Sequence, residues 1–268
     1  MKPGVLSALA LLALAAAGAP PAVAQDTHPY FKKSLSLSAG AFRPSIDLSA
    51  SYEANGIAGT DVDFVQDVGL DDTQTLPWVT ASVRLGDRWL IEGEWFRLSN
   101  DGSKRLDKTI EWGGVSFPID TNVTGEFKVD QYRLGFGYSF LRGADHEAGL
   151  ALGVHGYDLQ ASLSADNVGK VKASQVFPLP TVGAYVNYAF TPNVLARARV
   201  DWFGLTYNDI SGSFWNAGAS VEYTLPMGFG VGIGYRYIDF NVDSTKDDWR
   251  GDANFKFSGP TLYVSGYL

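Results

Sequence analysis

The chain of 268 residues contains no cysteine, only two methionines and three histidines. Without cysteine there is no disulfide scaffold, no thiolate zinc or iron–sulfur site and no cysteine nucleophile. The histidines, His28, His146 and His155, lie far apart in sequence, so no His-rich metal site is expected and no cofactor is implied. Charge is sparse as well: Asp, Glu, Lys and Arg make up 19% of the chain, against a usual ~25%. Acidic residues outnumber basic ones, 29 to 21, for a net charge of −8, which excludes the basic footprint of a nucleic-acid binder. Aromatic residues and glycine are abundant instead, with 16 Phe, 13 Tyr, 7 Trp and 30 Gly. A chain rich in aromatics and poor in charge has the means to bury a core and is not a disordered one.

Residues 1–24 read as a secretory leader. Lys2 supplies the positive start, Val5 to Gly18 the apolar stretch, and Ala22-Val23-Ala24 before Gln25 an A-x-A cleavage site. The stretch is shorter than the ~20 apolar residues of a spanning helix and stops at Pro20-Pro21. The expected mature part, 25–268, is a single domain.

From residue 34 onward the dominant period is two, the period of a strand. Tyr132, Leu134, Phe136, Tyr138 and Phe140 alternate with Arg133, Gly135, Gly137 and Ser139; Val231, Ile233, Tyr235 and Tyr237 alternate with Gly230, Gly232, Gly234 and Arg236. No later stretch holds a helical pattern over three turns. Short breakers at 86–88, 142–145, 191–193 and 226–228 join strand pairs, and longer polar segments at 54–74, 100–108, 165–175, 209–213 and 243–252 join the opposite ends. The expectation is an all-β, antiparallel up-and-down meander of about ten strands: 34–53, 60–85, 88–111, 115–140, 147–164, 171–190, 194–209, 213–225, 229–242 and 253–268. Eight and twelve are the alternative even counts.

In a soluble sandwich or barrel the apolar face points inward; in a membrane barrel it faces lipid while small and polar residues fill the lumen. Three features favour the membrane form. Aromatic residues cluster beside the short turns, at Trp89, Tyr138, Phe140, Tyr188, Phe190 and Tyr223, as in an interfacial girdle. The opposite face is rich in glycine, which makes room inside a crowded barrel. That face also carries charges of both signs: Arg84, Glu92, Glu94, Arg133, Arg197, Arg199, Asp201, Glu222 and Arg236. A sheet in lipid must close on itself, because open edges leave backbone groups unsatisfied.

With leader, short turns, long opposite loops and a strand reaching Leu268, the chain resembles the bacterial outer-membrane β-barrel superfamily. Leu262, Val264, Gly266 and Leu268 alternate as in that family's terminal strand, with Leu268 in place of the usual final Phe or Trp. The run from Asp67 to Pro77, Arg84-Leu-Gly-Asp-Arg, Tyr132-Arg-Leu-Gly-Phe-Gly-Tyr-Ser-Phe and Gly232-Ile-Gly-Tyr-Arg-Tyr resemble a group of proteobacterial barrels. The resemblance implies a transmembrane barrel in the outer membrane, in contact with lipid, lipopolysaccharide and the barrel-assembly machinery, as a monomer. It brings no activity with it.

Catalysis is not expected. The chain resembles omptin-type proteases in strand number, but these need an Asp–His pair at the outer rim. The rim candidates Asp61/Asp63, Asp71/Asp72 and Asp247/Asp248 have no histidine beside them. His155, the one histidine within a strand, reads as a lumen hydrogen-bonding residue. Asp61 with Asp63, or Asp243, Asp247, Asp248 and Asp252, offer hard oxygens to calcium but lack the twelve-residue loop pattern. Arg197/Arg199 and Glu92/Glu94 are i, i+2 pairs sharing a face, and with the other lumen charges they are expected to pair across the interior. About ten strands lie near the side-chain-filled end of barrel sizes rather than the open porin end. The expected role is structural or surface-interacting; a narrow channel gated by the Arg/Glu cluster is the alternative, and a hydrolase the third.

Overall fold

Ten staves of alternating sequence close into one antiparallel wall. The computed structural model describes residues 27–54, 56–207, 210–246 and 249–268; the expected leader and the Asp247/Asp248 pair lie outside these. In chain order the elements are α1 (Pro29–Lys32), β1 (Leu35–Phe42), β2 (Ser45–Ala50), β3 (Val62–Asp63), β4 (Leu76–Leu85), β5 (Trp89–Arg105), β6 (Ile110–Trp112), β7 (Val115–Phe117), β8 (Asn122–Arg142), β9 (His146–Ala165), β10 (Gly169–Thr191), β11 (Val194–Tyr207), β12 (Ile210–Thr224), β13 (Phe229–Lys246) and β14 (Trp249–Tyr267). Strand β1 pairs with β4 on one side and with β14 on the other, which closes the barrel. The first stave is broken at Arg43-Pro44: β1 takes the inner half of β14 (Leu37 opposite Gly266), and β2 takes its outer half (Leu48 opposite Phe255). No helix among the described residues is long and apolar enough to cross a membrane, a finding that has no bearing on spanning strands.

One rule governs the inner half of the wall, at the short turns, and its opposite governs the outer half. On β9 the odd residues point inward and the even ones outward. Near the short turns the outward residues are Leu150, Leu152 and Val154; farther along they are Asp158, Gln160, Ser162 and Ser164. The inward set runs from Glu147, Gly149 and His155 to Tyr157, Leu159 and Leu163. Leu152 is therefore 66% exposed while Leu163 on the same strand is 0% exposed. Strands β8 and β13 make the same switch, at Gln131–Tyr132 and at Arg236–Tyr237. The inner half is thus apolar outside and polar inside, and the outer half is a soluble-type barrel with its core inside.

That core fills the outer half. Phe42, Leu48, Phe96, Phe127, Tyr157, Phe214, Phe240, Phe255 and Phe257 meet from all around the wall, with Phe240 and Phe255 stacked at 4.5 Å between ring centroids. Two segments from between the staves complete it. Val62, Phe64, Val68 and Leu70 enter from the stretch before β4, and the β6–β7 hairpin caps the mouth with Ile110, Trp112 and Phe117, all buried. The stretch before β4 runs against the upper part of β5, where a Cβ on Gly102 would sit 2.1 Å from the Gly69 carbonyl oxygen. Only glycine allows that approach.

Several sequence expectations change here. Residues 60–75 do not extend the second stave, and 115–117 belong to the capping hairpin rather than to the fourth stave, which starts at Asn122. Most of the polar segments expected as outer loops, at 100–105, 169–175, 210–213, 243–246 and 249–252, are strand. They read as loops because their outward residues stand in water, while their inward partners are apolar. Strand β10 also outruns β11: the two pair only between Thr191 and Val182. The β9–β10 ladder continues unbroken past Pro178 and Pro180, so the ring nitrogens face β11 and remove two donors from that seam.

Candidate functional site

Alternation places all nine expected lumen charges on the inward face of the inner half, and the curvature of the wall carries them across it. Arg199 (β11) holds Asp201 of its own strand at 2.8 Å and reaches Glu92 of β5 on the far side. Arg133 (β8) lies 3.6 Å from Asp201 and 3.7 Å from Glu92. Arg236 (β13) crosses to Glu94 (β5) at 2.5 Å and donates from Nε to Asn216 at 3.0 Å. Arg197 pairs with Glu222 at 3.3 Å, and the Tyr267 hydroxyl bridges the two. Arg84 stands apart from these, bound at 2.7 Å to Glu147, which the sequence reading left out of the cluster. Counting Glu147, five arginines face five carboxylates, so the interior is electrically neutral. A cavity of about 180 Å³ remains between them, lined also by Ser36, Ser38, Thr80 and Ser82. Glycines make the room: a Cβ on Gly149 would lie 2.3 Å from the Tyr185 ring.

The short-turn end of this chamber is stopped by the residues just before β1. His28 caps α1, its Nδ1 accepting from the Tyr30 amide at 3.2 Å. That leaves Nε2 as the protonated nitrogen, donating to Thr224 at 2.9 Å. Tyr30 enters the barrel. Its hydroxyl donates to Glu147 at 2.9 Å and accepts from Asn187 at 3.0 Å, and its ring lies under the Arg197 guanidinium at 4.9 Å. Ser139 and Asn187 add further bonds to Glu147, so that carboxylate, 1% exposed, is fully partnered. Burial at the mouth pushes His28 down to about 4, because its charged form would lose hydration there. Nothing local in the sequence marks Tyr30, Glu147 or Asn187 as partners; they are 40 to 157 positions apart.

The six residues expected as a girdle, Trp89, Tyr138, Phe140, Tyr188, Phe190 and Tyr223, all point outward near the short turns. A second outward ring, Trp95, Tyr132, Trp202, Trp215 and Tyr235, marks the polarity switch and is absent from the sequence reading. From Phe140 to Tyr132 is eight steps of ~3.4 Å, roughly 27 Å along the strand and roughly 20 Å after a tilt of about 40°. Such a belt suits a bilayer's apolar layer, with rings settling at both headgroup levels.

His155 sits at the boundary of core and chamber, 0% exposed, with Nδ1 3.5 Å from the Gln131 amide and Nε2 3.6 Å from Asp201. It tilts against the Phe214 ring at 4.8 Å between centroids. Among the described residues no group of three metal-ligating side chains comes together. At the rim, Asp67 is bound by Lys108 at 2.7 Å. Burial and the nearby Asp252 raise the Asp61 carboxyl above its ordinary range.

No protein-family model matches the chain, and no curated protein sequence matches it. Among solved structures it is similar to the outer membrane protease OmpT from Escherichia coli, with a TM-score of 0.53 at 10% identity over 87% of this chain and 97% of that one. Weaker matches include the outer membrane protein OprG from Pseudomonas aeruginosa (TM-score 0.38, 10% identity, 90% and 99% covered). Ail, the attachment invasion locus protein of Yersinia pestis, matches at a TM-score of 0.36 and 11% identity, with 86% and 98% covered. At 10% identity the likeness to OmpT extends to the fold alone. With its closed wall of ten staves and its outward apolar belt, the chain has the antiparallel β-barrel fold of the outer-membrane protein it matches.

Proposed function

We propose that this barrel is a non-conducting outer-membrane platform, which anchors a solid, apolar-cored β-structure above the bilayer for a structural or surface-interaction role. One observation carries this reading: the lumen is closed by two different materials in series. A neutral ion-paired chamber stoppered by Tyr30 fills the inner half, and a dry aromatic core fills the outer half. An ion would have to cross both. Paired charges in the inner half satisfy one another, as buried charges must, and the core above is built almost wholly of apolar side chains, where an ion would lose its hydration without compensation. The narrow-channel alternative needs a continuous wet path, and Phe42, Phe96, Tyr157 and Phe214 stand where that path would run. The partners expected with this role are the bilayer lipids, lipopolysaccharide and the assembly machinery, with the chain itself a monomer.

Single-channel recording in a planar bilayer tests this. The refolded mature chain is expected to be silent, and so are an Arg197→Ser/Arg199→Ser variant and a chain lacking residues 27–33, because each leaves the outer core in place. Discrete conductance steps in the wild-type chain would overturn the reading. Heat-modifiable gel mobility establishes that each protein is folded.

A further inference from the structure

We propose that the outward face of the wall around Arg43 is a lipopolysaccharide site, with the Arg43 guanidinium holding a phosphate of lipid A and an acyl chain lying in the hollow beneath it. The placement rests on the membrane reading above. An apolar hollow of about 780 Å³ indents the lipid-facing wall, lined by Ala41, Ala219, Val221, Ile233, Pro260 and Leu262. Its form follows from register. Ala41, Leu262, Ile233, Val221 and Ala196 are successive neighbours in one row across five strands. The large side chains at the centre of that row stand proud of the alanines, and the next row outward contains Ala219 and Pro260. A methylene chain gains dispersion contact in such a recess that it lacks on a flat wall.

Arg43 and Thr75 form the rim on the outer side. The Arg43 amide donates to the Pro260 carbonyl at 3.0 Å, and Pro260 stands opposite Tyr235 of the second aromatic ring. Arg43 therefore emerges at the headgroup level of the leaflet on the long-loop side. Its side chain is exposed, and no hydrogen bond or ion pair to a described residue occupies it. Arg97, the other arginine pointing outward just above that ring, is already gripped by both oxygens of Asp130, at 2.7 and 3.0 Å. A free guanidinium at headgroup depth matches a phosphate's bidentate geometry, and it stands over a recess at acyl depth. Both features suit a phosphorylated, many-chained lipid of the outer leaflet.

Native mass spectrometry of the refolded mature chain, titrated with bisphosphorylated lipid A and with the same lipid stripped of phosphate, reads the site directly. The wild-type chain is expected to hold the phosphorylated form about tenfold more tightly, the scale of one charge-assisted pair. Arg43→Gln is expected to erase that preference, and Ala219→Phe, which fills the hollow, to weaken both forms. Both substitutions lie on the lipid-facing surface, and heat-modifiable mobility checks their folding. A preference that survives Arg43→Gln would overturn the proposal, as would equal binding of phosphatidylglycerol. A chain that fails to insert into vesicles at all would instead overturn the membrane reading on which the site rests.

Discussion

The two halves of this barrel are made by the same strands and obey opposite rules. In the inner half Tyr132, Leu134, Phe136 and Tyr138 of β8 face outward over an interior of Arg133, Glu92 and Arg199; in the outer half Asp130, Lys128 and Glu126 of the same strand face outward over Val129, Phe127 and Val123. The backbone pattern does not change at Tyr132; the solvent outside does. Lipid offers no hydrophobic drive to fill the lumen, so the inner half is held by complementary charge, with tyrosines set into glycine-made gaps. Water surrounds the outer half, so burial of aromatic area holds it together as in any soluble domain. An alternating strand thus reports where two environments separate and leaves open which of them is inside.

The largest expected effect probes the outer core. Phe240→Ala removes a fully buried ring stacked on Phe255 and is expected to destabilise the fold by about 3–5 kcal/mol, seen as a lower urea midpoint in equilibrium unfolding. If the outer half were a loose collar of loops, the midpoint would hardly move. The next test sharpens the comparison on one face of one strand. Leu152→Arg places a charge in the belt and is expected to cost about 2–4 kcal/mol, while Gln160→Arg, on the same outward face beyond the switch, is expected to change stability by less than ~0.5 kcal/mol. Equal costs at the two positions would remove the boundary between the halves. The smallest effect concerns the stopper. His28 docks neutral, with its value pushed down to about 4, whereas in a released tail it titrates at the ordinary ~6.5. Docking is therefore at full strength above pH ~6.5 and weakens as pH falls toward 4, by at most about tenfold per unit. Protease cleavage of the tail followed against pH reads this, and His28→Gln is expected to flatten the profile.

Alternation in the belt was legible because lipid demands it: the outward runs of β8, β9 and β13 and the inward placement of Arg133, Arg199 and Arg236 follow from parity alone. Two kinds of feature were hidden. The outer halves of β5, β10, β13 and β14 resemble loops, since residues such as Asp101, Ser103, Lys170 and Asp243 are polar at every second position and their apolar partners are spaced between them. The contacts of Glu147 and Tyr30 were hidden for a different reason. One lies beside a short turn and the other in the tail before β1, and only closure of the wall brings them within 2.9 Å. Parity names the face a residue occupies, and pairing across the lumen depends on shear, which no single strand encodes.

The closing seam has a consequence in time. Strand β1 joins β14, so Leu37 finds Gly266 across nearly the whole length of the chain. Until the final strand has been made, the first has one bare edge and neither half of the lumen can be sealed. The wall therefore cannot be completed piecemeal from its beginning, and contacts this distant in sequence form slowly. Until that last strand is in place the molecule remains an open chain, with its arginines and its phenylalanines alike still waiting for their partners.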